Sequence, residues 1–319
     1  MGLFSSTPRS YIDTFSQEMG ECIKQTLASE KYDLVIASQL GMASYSQFFG
    51  DTIALLEELE LGVLQEQDTR VHFTWRLRQD LTWFKHRRYL SRLLQNFQAC
   101  TVVSEQEQRL LARTVPRNGQ ATVIPNCIDL ANYNGVENTL RPNSLIFTGS
   151  FRYLVNYYAM VWFLQDIYPL IRSEIPDVQL IITGDHADLK LPSTTGVTQT
   201  GLVPDVRPLI ASSVAGVVPL LSGGGTRLKI LEAMALGTPV VTTTKGAEGL
   251  NAKHGESVLI ADEPKEFAAA VVRLLKEPGL REHLADNAYQ LVSEQYDWAG
   301  VMPHFLQLIE DTVLASRNQ

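Results

Sequence analysis

Cysteine is scarce in this chain. Cys22, Cys100 and Cys127, three residues in 319, stand far apart with no CxxC spacing. Neither a disulfide framework nor a structural zinc is therefore expected, and a reducing compartment fits. The six histidines include no HExxH pair. No apolar run reaches the ~20 residues a membrane-spanning helix needs. Net positive charge is also missing: 27 Lys and Arg against 35 Asp and Glu leave −8. Non-specific nucleic-acid affinity rests on neutralising phosphates, so this balance argues against nucleic acid as a partner. The start, MGLFSSTPRSYIDTF, lacks the apolar core of a secretory leader. Gly2 and Ser6 match the opening of a myristoylation signal, but the pattern is short and has no companion signal. A cytoplasmic protein is expected. No GxGxxG follows a strand-like run, which disfavours a dinucleotide oxidoreductase.

The informative stretch is GGGTRLKILEAMALGTPVVTTTKGAEGL, residues 223 to 250. Val214 to Pro219 before it and Pro239 to Thr244 within it are continuous apolar runs rich in valine, as in parallel strands covered on both faces. Leu228, Ile230, Leu231, Ala233, Met234 and Leu236 recur at helical spacing, and Gly237 stops the helix. The reading is strand, glycine loop, helix, strand. Such a loop lies at the carboxyl edge of an open α/β sheet, where ligands bind. Unpaired N–H groups at a helix start favour anions. Gly223, Gly224 and Gly225 let the backbone approach a ligand, and Arg227 and Lys229 add mobile or forked positive charge. Together they fit a phosphate. Glu232 is too far along the helix to touch it and could instead accept hydrogen bonds from an attached sugar. The alternative is an ordinary loop with a solvated helix face, on which Lys229 and Glu232 form an i,i+3 pair.

The chain is long enough for two domains. Residues 11–31 read as an amphipathic helix, and YDLVIAS (32–38), TIALLEE (52–58), ACTVVS (99–104) and ATVIPN (121–126) as strands. Residues 68–98 are dense in basic and aromatic side chains, but Leu77, Leu81, Leu90, Leu93 and Leu94 mark an amphipathic helix with its tryptophans in the core. Its basic face is read as plain solvated surface; the alternative is peripheral contact with the inner membrane face or an acidic acceptor. Polar, turn-rich residues 127–144 form the domain boundary. Strands then alternate with helices: SLIFTGS, a helix over Asn156–Ser173, VQLIITGD, GVTQTGLV, a helix over Pro204–Ser213, the opening motif, ESVLIAD, and three terminal helices. This is a doubly wound α/β domain.

The second half resembles glycosyltransferase family 4, retaining nucleotide-sugar enzymes of the GT-B fold with two facing Rossmann-like domains. The stretches that carry it are VIPNCIDLANY, LIFTGSFRYLVNYYAMVWFLQDIYPLI, TGLVPDVRPLIASSVAGVVPLLSGGGTRLKILEAMALGTPVVTTTKGAEGL and YDWAGVMPHFLQLIEDTVL. The resemblance implies an acceptor-side domain over 1–135, incomplete at its front, a donor domain over 136–297, and a last helix, 298–319, crossing back to the first. It implies that Gly223, Gly224, Gly225 and Thr226 hold the donor diphosphate. Glu232 matches the second of the family's paired glutamates, which binds the ribose. Val203 lies where the backbone meets the nucleobase, and Gly149 opens a phosphate-facing loop. It implies glycosyl transfer with retention, no cofactor, and a sugar, lipid-linked or other small acceptor, as in polysaccharide biosynthesis.

Departures are as informative. Gly224 stands where the leading glutamate should, and Ser150 and Asn156 occupy the region of the usual arginine and lysine. Arg152, Arg227 and Lys229 are the available replacements. Cys127 replaces the glycine of a PNG turn, which calls for a turn without positive φ or a strained one. No DxD-type metal site is evident, so metal independence is expected. The acceptor-side base is not named by the sequence: Glu57, Glu58 and Glu60 are the best carboxylates on offer, with a solvated acidic loop the plainer reading of each, and His72 and His86 read as surface or packing residues. Two rivals remain: a non-catalytic nucleotide-sugar-binding remnant and a GT-B nucleotide-sugar 2-epimerase.

Overall fold

A computed structural model describes residues 15–62, 73–116, 121–136, 139–225 and 227–317. Two compact units divide the chain: Met1–Pro125 with Met302–Gln319, and Asn126–Val301.

In the first unit, α1 (Gln17–Ser29) starts at Ser16, whose hydroxyl accepts the Met19 N–H. There follow β1 (Val35–Ser38), α2 (Gln39–Ala43), β2 (Ala54–Glu57), α3 (Phe73–Leu93), β3 (Ala99–Val102), α4 (Glu105–Thr114) and β4 (Thr122–Val123). The strands are parallel, in order β1-β2-β3-β4. Ser104 caps α4 by accepting the Glu107 N–H, while the Glu107 carboxylate takes the N–H groups of Leu61 and Gly62. Helix α3 corrects one expectation. His86, Leu90 and Leu93 are buried, an i, i+4, i+7 stripe. Trp83 sits at its margin, half-buried, and Phe84, turned about 100° away, is 60% exposed. At the described positions the core face is thus made by Leu90 and Leu93 rather than Trp83. Burial lowers the His86 pKa, as suits a packing residue. Trp75 has no described side chain, and His72 lies outside the described residues.

The second unit contains β5 (Ser144–Thr148), α5 (Leu154–Trp162), α6 (Tyr168–Glu174), β6 (Gln179–Thr183), β7 (Val197–Gly201), α7 (Arg207–Ala211), β8 (Ala215–Val218), α8 (Leu228–Ala235), β9 (Val240–Thr242), β10 (Leu259–Ile260), α9 (Pro264–Lys276) and α10 (Pro278–Gln295). Helices α5 and α6 are joined by a π segment, Phe163–Ile167, where the sequence suggests one continuous helix. Pro169 has no N–H to return to Gln165, and the helix widens ahead of it. Residues 126–135, which the sequence groups with the first domain, cluster here. The Ile128 N–H donates to the Tyr296 carbonyl at 2.9 Å and the Leu130 N–H to Asp297 at 3.2 Å. Helix α11 (Trp298–Arg317) begins in this unit; its residues from Met302 onward cluster with the first, where Arg317 pairs with Asp33.

All pairings of the second sheet are parallel, in order β10-β9-β8-β5-β6-β7. Successive strand residues point to opposite faces, and both faces are apolar because helices cover both. Leu145, Phe147, Leu180, Ile182 and Val217 join one core with α5, α6 and α9; Ile146, Ile181, Val218 and Val240 join another with α7, α8 and α10. From β5 the chain builds outward through β6 and β7, then returns to build β8, β9 and β10 on the other side. The direction reverses between β5 and β8, and such a reversal opens a crevice at the carboxyl ends of the two strands.

Candidate donor-binding site

Gly149, the glycine loop and Lys229 gather at that reversal. Gly149 follows β5, and the loop 219–227 follows β8 and leads into α8. No side chain caps the start of α8, so its first N–H groups keep their anion preference. Close approach explains the glycines at two positions. A Cβ on Gly149 would lie 2.8 Å from both the Asn156 Nδ2 and the Lys229 Nζ. Gly223 has φ +91°, and a side chain there would run into the Tyr153 hydroxyl. Thr226 lies outside the described residues.

The cations divide by role. Arg227 is 6% exposed, and its fork is spent on the loop: Nη1 donates to the Gly224 carbonyl at 2.6 Å and Nη2 to the Gly223 carbonyl at 2.7 Å. It is a forked clamp on the glycine loop itself. Its Nε is buried with no acceptor among the described residues. Arg152 is turned elsewhere, exposed and paired with Asp185. Hydrogen bonds from the Ala187 N–H and from Arg152 hold the Asp185 carboxyl below its usual range.

Lys229 is the cation at the crevice floor. Its Nζ donates to Asn156 Oδ1 at 2.8 Å and lies 4.3 Å from the centre of the Phe147 ring. It does not close the i,i+3 pair with Glu232. Burial, with Arg227 nearby, brings its pKa down to about 7, against a weaker opposing effect of Glu232. Asn156 is itself buried, and its Nδ2 donates to the Ser150 carbonyl at 2.8 Å. One amide thus ties the β5 loop to the helix that follows β8. Glu232, half-buried, accepts a 3.2 Å hydrogen bond from the Tyr133 hydroxyl. Burial raises the Glu232 pKa, and burial plus the Glu232 charge push Tyr133 up to about 12.

Asn156, Tyr133 and Phe147 escape the sequence reading. Asn156 looks there like a missing cation, and Tyr133 is 99 positions from Glu232. One legible signal was a repeat: Thr148-Gly149-Ser150 and Thr183-Gly184-Asp185 end neighbouring strands alike. A Cβ on Gly184 would strike the Gly149 carbonyl. Val203, half-buried, follows β7 beyond Gly201. Cys127 is absent from the residues of positive φ, so its turn is the unstrained alternative.

In the first unit Glu57 ends β2, and Glu58 follows it with φ +56°. Gln39, which follows the paired strand β1 and opens α2, has φ +64° and donates to Glu58 Oε2 at 3.1 Å. Two left-handed non-glycine residues at adjacent strand ends mark strain at that sheet edge. Each unit also carries a cleft. The second unit's, of about 690 Å³, is lined by residues including Asn251, Lys253, Asn287 and Glu294; the first unit's, of about 620 Å³, by residues including Met19, Cys22, Gln39 and Met42. Among the described residues no group of three His, Cys, Asp or Glu side chains could hold a metal ion. No described helix is long and apolar enough to cross a membrane.

Residues 142–277 match the family model for glycosyl transferases group 1. Over 165 residues, 49% of this chain and 44% of the relative, the sequence is 30% identical to phosphatidyl-myo-inositol mannosyltransferase of Mycobacterium leprae. The chain spans about two fifths of the length of the curated relatives it matches. Its fold is that of sucrose-phosphate synthase from Thermosynechococcus elongatus, with TM-score 0.75 and 20% identity over 97% of this chain and 80% of the other. It is also that of Anabaena HepE, solved with UDP-glucose, with TM-score 0.69 and 16% identity over 92% and 82%. The architecture is α/β of the GT-B glycosyltransferase type, with two Rossmann-like units.

Proposed function

We propose that this protein is a glycosyltransferase that takes a sugar from a nucleotide-diphosphate sugar, and that the second unit binds this donor. The observation that carries the reading is the convergence, at the β5/β8 reversal, of Gly149, the clamped glycine loop, the uncapped start of α8 and the Lys229 ammonium. The departing nucleoside diphosphate gains negative charge as the glycosidic bond breaks. Donors and a cation fixed in advance stabilise it without reorganising, and they do so without a metal. Gly223, Gly224, Gly225 and Thr226 supply backbone to the diphosphate, Lys229 supplies charge, and Arg227 keeps the loop in shape. Glu232 accepts from the ribose hydroxyls, and Val203 meets the base. Arg152, held by Asp185, is left at the rim. Transfer proceeds with retention, as the resemblance to family 4 implies, to a sugar or lipid-linked acceptor. The likeness to a solved complex with UDP-glucose and to a mannosyltransferase supports this donor class.

The test is a thermal-shift titration with UDP, GDP and ADP. Native-state binding adds ~2.7 kcal/mol at a hundredfold excess over Kd. A shift with one nucleotide, lost in Arg227→Ala and Glu232→Ala, is the expected result. No shift with any of the three overturns the reading. A shift without sugar transfer to any acceptor leaves a nucleotide-sugar-binding protein.

A further inference from the structure

Lys229 is an unusual cation. An ammonium has three N–H donors, and here a single acceptor is described, the neutral Asn156 Oδ1 at 2.8 Å. Among the described residues no carboxylate pairs with it. The Phe147 ring lies beneath it at 4.3 Å, and the bare Gly149 backbone lies alongside, with no room for a side chain. Asn156 is fixed from its other end by the Ser150 carbonyl. Its carbonyl oxygen therefore has one orientation to offer, and Lys229 follows it.

We propose that Asn156 is the positioning residue for Lys229, and that the pair is a receptor for one phosphate group of the donor that takes up a proton when the phosphate arrives. The proposal rests on the donor-site reading above. A carboxamide can hold the lysine nitrogen whether it is charged or neutral, since it asks only for one N–H. A carboxylate in the same place would keep the charge permanently and compete with the incoming anion. Among the described residues, the charged groups that act on Lys229 are Arg227, which opposes its charge, and Glu232, which favours it. From β5, its loop and α5 it meets neutral partners, the Phe147 ring, the Gly149 backbone and the Asn156 amide. At the end of β6, Asp185 is taken by Arg152. In the empty site the nitrogen titrates near neutrality, because burial disfavours its charge. A bound diphosphate brings negative charge to its two remaining N–H directions and restores the ammonium.

Calorimetric titration at pH 8.0 with UDP, GDP and ADP, each in two buffers of different ionisation enthalpy, measures the proton count directly. At that pH the terminal phosphate of a free nucleoside diphosphate is already ionised, since its second ionisation lies near ~6. Uptake of at least half a proton per nucleotide bound is expected for the wild type. Lys229→Met removes the titrating group and packs on Phe147; its uptake should vanish and its affinity fall at least tenfold. Asn156→Asp keeps the size but gives up the N–H that the Ser150 carbonyl accepts, and it pairs the ammonium beforehand, so uptake should vanish there too, with weaker binding. Wild-type binding at equal heat in both buffers would overturn the proposal and leave the donor site standing. Asn156→Asp with wild-type affinity and uptake would overturn the role of Asn156. Binding of none of the three nucleotides would sink the donor-site reading, and this inference with it.

Discussion

The first unit and the second are built by the same local rule, parallel strands joined through helices, but they order their strands differently. In the first, the described strands follow one another as β1-β2-β3-β4, and the progression never turns back. In the second, β5 is laid down in the middle and the chain reverses to place β8 beside it. A reversal separates two neighbouring strand ends, because their connections leave in opposite directions. That crevice is where Gly149, Asn156 and Lys229 meet. The first sheet shows strain at its carboxyl edge, at Gln39 and Glu58. Strand order supplies the opening; glycine and charge at its two lips supply the chemistry.

The hardest way to break the second unit is through the ring that serves both its core and its site. Phe147 is 1% exposed and lies under Lys229. Phe147→Ala should cost ~3–5 kcal/mol of stability in chemical denaturation. An equally buried residue of the other sheet, Leu56, should cost ~2–5 kcal/mol when cut to alanine, but with no effect on nucleotide affinity. A Leu56→Ala protein that stays folded yet loses nucleotide binding would show that the two regions do not divide the work this way.

Glycines give a sharper contrast. Gly149→Ala places a methyl 2.8 Å from the Lys229 and Asn156 nitrogens, whereas Gly41→Ala, in α2, meets nothing within 4 Å. The first should weaken nucleotide binding by more than tenfold with modest loss of stability, measured by calorimetry and thermal unfolding. The second should leave both within error, since alanine suits a helix at least as well as glycine.

Lys229 should also mark the second unit by pH. Its pKa is about 7 in the fold against the ordinary 10.5, so the unfolded chain binds more protons between those values. Stability of the nucleotide-free protein should therefore rise from about pH 7 toward pH 10.5 by this group's contribution. Below about pH 7 the cost of the buried charge is present in full. Lys229→Met should lose this climb. A wild-type and a mutant curve that stay parallel across the window would mean that Lys229 is fully charged in the fold.

How much of this was legible in the sequence depends on distance along the chain. The strands of the second sheet could be read because both faces are buried, which turns LIF, LIIT, AGVV and PVV into continuous apolar runs. Gly149 and the glycine loop were visible as strand ends followed by glycine. What the sequence could not carry was the turning of side chains. Arg227 and Lys229 look equivalent two positions apart, yet one closes on its own loop and the other reaches a helix 73 residues earlier. Asn156, inside an apolar helical pattern, gave no sign that its amide joins two loops. The π segment and the half-buried Trp83 were missed for a related reason: periodicity fixes which side of a helix is apolar, not how deep each residue sits.

The smallest expected effect concerns the other long-range partner. Tyr133→Phe removes the hydroxyl that donates to Glu232 and leaves the ring in place. A hydrogen bond of this kind contributes ~0.5–1.5 kcal/mol. Because Tyr133 donates to the carboxylate, its bond draws the Glu232 pKa down against the larger rise from burial. The mutation should raise that pKa further, so its cost in stability should appear at pH 8 and fade on acidification, as the carboxyl becomes protonated in both proteins. The same change should loosen the aim of Glu232. Discrimination between a nucleoside diphosphate and its 2′,3′-dideoxy analogue should then shrink by a few-fold, while affinity for the analogue itself stays put. A stability loss independent of pH, with discrimination intact, would reduce Tyr133 to a packing residue and leave Glu232 to be oriented by α8 alone.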